Sequence, residues 1–133
     1  MGCSLATSLV DKLKDIKRKR NPDRLFIEAS EMVTTREMRN VSAMGQRDIR
    51  YEAGPFITLI NGLDFEFLWN ERRRLVSEQI NGADWVIVNR TEALDKEQLA
   101  HLRETLSGCG DRLLTVQEMD RSATEFIAAD IGL

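Results

Sequence analysis

This chain is poor in the side chains that do covalent or metal-based chemistry. Its 133 residues hold two cysteines, two prolines and a single histidine. Cys3 and Cys109 stand near opposite ends, and two thiols make no disulfide framework, so a reducing, cytoplasmic setting is expected. The lone histidine, His101, falls mid-helix by pattern with no orienting partner in view, which argues against a Ser-His-Asp or Cys-His relay. No apolar run approaches the roughly 18 residues of a membrane span. Nor does the N-terminus read as a signal peptide, because its apolar residues are helically spaced and its positive charges follow them. A net charge of −3 gives no reason to expect a nucleic-acid partner. Also missing is any Gly-x-x-x-x-Gly-Lys-[Ser/Thr] loop for cradling phosphates.

What remains is ordinary globular material, 42% apolar and 31% charged, enough in one domain spanning 1–133 to bury a core without metal or disulfide support. Leu5, Leu9, Leu13 and Ile16 mark one face of a helix that ends in Lys17-Arg18-Lys19-Arg20, cations that suit a helix C-terminus, with Asn21-Pro22 as the stop. Arg24 to Ile27 reads as a short strand leading to Glu28-Ala29-Ser30-Glu31. A helix is expected over Thr35 to Met44, a loop from Gly45 to Gly54, and a second strand over Phe56 to Ile60.

Asp64 is placed to cap a long helix carrying Phe67, Leu68, Leu75, Val76 and Ile80. Trp85 to Val88 forms the third strand, Lys96 to Leu106 a helix, and Leu113 to Val116 the fourth strand. A short helix over Ser122 to Ala129 closes the chain. Short continuous apolar strands alternating with helices predict an α/β fold, a mostly parallel sheet with helices on both faces.

The most informative stretch is 78–92. A helix end and a small-residue turn lead into the buried strand Trp85-Val86-Ile87-Val88, which releases Asn89-Arg90-Thr91-Glu92 at its carboxyl end. Ligands of open parallel α/β sheets bind beyond the carboxyl ends of the strands. Asn89, Arg90 and Glu92 could offer a ligand there an amide, a cationic side chain and a carboxylate. A plainer reading makes these four a polar turn in which Thr91 or Glu92 caps the next helix.

The order of several segments resembles the CobW/HypB/UreG family of P-loop GTPases, its CobW branch above all. The quoted residues are Pro22-Asp23 leading to Ile27-Glu28-Ala29-Ser30, Ile60-Asn61-Gly62 with Phe65, Gln79-Ile80 with Ala83-Asp84, and Asn89. Cys3-Ser4-Leu5 aligns with the end of the branch's Cys-x-Cys-Cys motif. The tetrad Asn89 to Glu92 is similar to the Asn-Lys-x-Asp guanine loop, with Arg90 for Lys and Glu92 for Asp. Glu31 stands for a glycine and Asn61 for an aspartate.

The resemblance implies a P-loop NTPase-like, Rossmann-like three-layer domain truncated at the N-terminus, the C-terminal part of a CobW-like nucleotide-binding domain. It implies GTP and magnesium as cofactors, with Asn89, Arg90 and Glu92 on guanine and Glu28 at the magnesium and phosphate end. It leaves Cys3 as a single metal ligand, which would hold zinc or another transition metal only with residues upstream. Implied partners are a chain supplying the phosphate loop, or a metalloenzyme client in metal delivery or cobalamin metabolism. The substitutions at Glu31, Asn61, Arg90 and Glu92 also fit a non-catalytic interaction module derived from this fold, self-associating through an open sheet edge.

Overall fold

The computed structural model describes residues 3–119, 125, 128 and 129. They divide into two compact units, 1–53 and 54–133, each taken by itself below. The helix expected near the C-terminus, over 122–129, lies largely outside the described residues.

In the first unit, helix α1 spans Cys3–Arg20 and buries Val10 and Leu13. Its last turn is the basic run Lys17 to Arg20. Asn21 then turns into left-handed backbone at φ 42° while its N–H bonds back to Ile16 and Lys17, a conformation that asparagine tolerates better than most residues. Helix α2, Thr35–Gly45, starts with a reciprocal capping box between Thr34 and Glu37, so two orphan helix-end donors are satisfied at once. It packs on α1, and Lys14 meets Asp48 at 2.6 Å. The strand expected over Arg24 to Ile27 does not form. Residues 21–34 hold no helix or strand, and Leu25, Phe26 and Ile27 are 46%, 73% and 44% exposed. Their composition suits a strand, but no strand occurs among the described residues of this unit to supply a hydrogen-bonding neighbour.

The second unit carries the sheet. Strand β1 (Ile57–Asn61) leads into helix α3 (Gly62–Asn81), β2 (Trp85–Asn89), helix α4 (Lys96–Thr105) and β3 (Leu113–Thr115). The three strands are parallel in the order β1-β2-β3, with helices around them, as the alternating pattern predicts. Central β2 is buried on both faces: Val86 and Val88 are fully enclosed and Ile87 is 7% exposed. Around Val86 and Val88 cluster Ile60, Phe65, Val76, Ile80, Leu102, Leu106 and Cys109. Phe65 is stacked against Trp69 at 5.7 Å, whereas Phe67 is 67% exposed.

The cap of α3 is Asn61, not Asp64. Asn61 is both the last residue of β1 and the N-cap, its side-chain oxygen accepting from Leu63 N–H at 3.3 Å. Asp64 sits in the first helical turn and accepts from the Asn61 amide. At the opposite end of the sheet, the Ala83-Asp84 pair has a mechanical role. Asp84 Oδ2 accepts from Phe56 N–H at 2.7 Å and Asp84 N–H donates back to Phe56 O at 2.7 Å, which joins β1 to β2. Arg112 donates to the Ala83 carbonyl at 2.5 Å and so brings in β3.

Candidate nucleotide-base loop

Parallel register aligns the carboxyl ends of the strands. Asn61 of β1 stands beside Asn89 of β2, and Val88 beside Thr115 of β3. Each strand therefore ends on a polar residue at one rim, the side where such sheets receive ligands.

At the middle of that rim, the Asn89 side-chain oxygen accepts from Arg90 N–H at 2.7 Å. Using the oxygen internally leaves the NH₂ group as the donor pair this exposed residue can still offer. Arg90 adopts left-handed backbone at φ 60° and ψ 28°, which costs a non-glycine residue roughly 1–2 kcal/mol. That kink starts a 3₁₀ turn over Thr91–Ala93. Thr91 is 7% exposed while Arg90 and Glu92 face solvent. Helix α4 is capped by Asp95 in a reciprocal box with Gln98. Neither Thr91 nor Glu92 serves as its cap.

A second turn meets the first. After β3, residues Val116–Glu118 form a 3₁₀ turn capped by Thr115, whose Oγ1 accepts from Glu118 N–H at 3.2 Å. Thr91 hydroxyl donates to Gln117 Oε1, and Gln117 Nε2 donates to Glu92 Oε2. Arg103 of α4 is paired with Glu118. This ion pair, with Thr115 in support, holds the Glu118 carboxyl below the usual glutamate range. Gln117, Glu118 and Arg103 were not legible in the sequence as parts of this rim. The available signal for Gln117 and Glu118 was their position just past the end of β3, at the same edge as Asn89; Arg103, in the last turn of α4, gave none.

The remaining predicted residues lie elsewhere. Glu28 is an exposed residue of the irregular segment in the first unit, so it does not close a strand. Cys3 opens α1, and its side chain lies outside the described residues. Cys109 belongs to the core of the second unit, and burial pushes its thiol up, which keeps it in the unreactive thiol form. His101 is exposed on α4. Among the described residues, no group of three or more His, Cys, Asp or Glu side chains could hold a metal ion. No helix among them is long and apolar enough to cross a membrane.

A model of the CobW/HypB/UreG nucleotide-binding domain matches residues 1–116. The chain belongs to this family. The parallel sheet with its surrounding helices accordingly has the α/β architecture of P-loop NTPases, and the rim at Asn89 to Glu92 lies inside the matched segment. Among curated proteins and among solved structures, no similar chain was found.

Proposed function

We propose that residues 89–92 are the base-reading end of a guanine-nucleotide site, in a chain that takes part in GTP-dependent metal handling or metalloenzyme maturation. The observation that carries this reading is the division of labour at Asn89. Its oxygen is committed to Arg90 N–H, so what this exposed side chain can still offer a ligand is its amide donors, and guanine carries the N7 and O6 acceptors to receive them. Glu92 adds a carboxylate one turn on, the acceptor that guanine's N1–H and exocyclic amine require and adenine's edge does not.

Arg90 supports the same reading. Glycine or asparagine would hold left-handed backbone at lower cost, and strain kept by a large charged residue points to use of its side chain. The 133 residues contain no Gly-rich loop with its lysine, so phosphates and magnesium would be held by another segment or a partner chain. We accordingly assign base recognition, not hydrolysis by these residues alone. Delivery to a metalloenzyme client or a role in cobalamin metabolism would fall to the assembled site.

Calorimetric titration with GDP and ADP tests the assignment. GDP should bind and ADP should not. Asn89→Ala should weaken GDP about tenfold, the equivalent of roughly 1.4 kcal/mol. Equal heats for the two nucleotides, or none for either, would remove the reading.

A second reading, the self-associating interaction module, is favoured by one feature. The outer strand β1 carries no charged residue, and its Leu59 is 74% exposed.

A further inference from the structure

The geometry points to Gln117 as the positioning residue that sets Glu92 for guanine, and so as a determinant of the base preference. The inference rests on the guanine reading above and assigns a role to a residue one position beyond the family-matched segment.

The hydrogen-bond chemistry allows one arrangement. A carboxylate can only accept, so the atom of Gln117 facing Glu92 Oε2 is the amide nitrogen. The amide oxygen then faces Thr91, which donates its hydroxyl proton. Thr91 is buried, so its hydroxyl is a fixed point from which Gln117 reaches out to the exposed carboxylate. Glu92 is one methylene longer than aspartate and has three rotatable bonds. Unheld, it would sample many positions around the rim, and an error of about 1 Å is costly where a group must meet two donors at once.

The Gln117 amide holds Oε2 toward the turn after β3, and Oε1 takes no part in that bond. Oε1, with the remaining lone pair of Oε2, is the acceptor pair that guanine's N1–H and exocyclic amine need. A residue 25 positions away in sequence thus fixes where the carboxylate stands. Gln117 is itself exposed, so substituting it leaves the core untouched.

The test is titration of the whole chain with GDP, with ADP and with inosine diphosphate, whose base lacks the exocyclic amine. The wild type should prefer GDP. In Gln117→Ala, GDP should weaken about tenfold, which is one well-placed hydrogen bond's worth of affinity, and inosine diphosphate should weaken less, so the preference narrows. Gln117→Glu, which sets a second carboxylate against Glu92, should weaken GDP further.

A purely structural role would lower both affinities by one factor, or neither, and leave the preference intact. That result overturns the assignment of Gln117 while the guanine reading stands. A wild type with no preference for guanine over adenine overturns the guanine reading, and the role of Gln117 falls with it.

Discussion

Arg90 shows how one residue can carry a cost that stability alone would have removed. Its φ of 60° is reached at the point where β2 must turn into the loop, and Asn89 stabilises the turn by accepting from its N–H. Arg90→Gly should relieve the steric cost of left-handed backbone, partly offset by the extra freedom of glycine in the unfolded chain. Urea denaturation should therefore show equal or greater stability, by up to about 1 kcal/mol. On the proposed guanine reading, in which the Arg90 stem packs over the base, the same variant should also lose nucleotide affinity. A clear loss of stability would mean that the Arg90 side chain holds the fold, not a ligand. The tetrad itself was legible in the sequence because it directly follows an apolar strand. Gln117 was not, because a bond from position 117 back to position 92 is a consequence of sheet register.

Elements were legible to the extent that they could form from local pattern and their own caps. Helix α2 matches its expected span because Thr34 and Glu37 sit at capping-box spacing. Helix α4 announces its start with Asp95 and Gln98 in the same way. The start of α3 is ambiguous in the sequence because Asn61 and Asp64 are both capping types, one turn apart. The choice between them is made by where β1 ends. The segment Arg24 to Ile27 shows the reverse limit, since a strand needs a neighbour that composition cannot reveal.

The junction of α4 with the turn after β3 gives a prediction at this scale. Glu118 is held below its ordinary value of 4.5, first by Arg103 and then by Thr115. A carboxyl depressed in the folded state stabilises above its unfolded value, and that contribution is lost as pH falls through the folded one. Stability of the wild type should therefore decline between about pH 5 and pH 3 more steeply than that of Arg103→Ala. The difference should stay under about 1 kcal/mol, since both side chains are close to half-exposed and solvent screens the pair. Parallel acid slopes for the two proteins would show that the ion pair contributes nothing in solution.

For the whole molecule, the open question is what the outer strand of the sheet does. Among the described residues, β1 pairs only with β2, so its other edge presents a row of backbone donors and acceptors. Natural edges are usually guarded by lysine, proline or a bulge. Within Ile57–Asn61 there is no charge and no proline, and Ile57 and Leu59 are 38% and 74% exposed. On the reading of this fold as a self-associating module, such an edge would take a further strand, and in a solution of this chain alone that strand would come from a second copy.

Sedimentation velocity should then show mass rising with concentration for the wild type. Leu59→Lys should hold the chain as a monomer at every concentration. That substitution sits on an exposed position, so its effect on stability should stay within about 0.5 kcal/mol and the two proteins should unfold alike in urea. A wild type that sediments as a strict monomer throughout would remove self-association and leave the proposed base loop at Asn89 as the remaining reading. Association that survives Leu59→Lys would place the contact on another surface, and β1 would then be an edge that this protein tolerates without using.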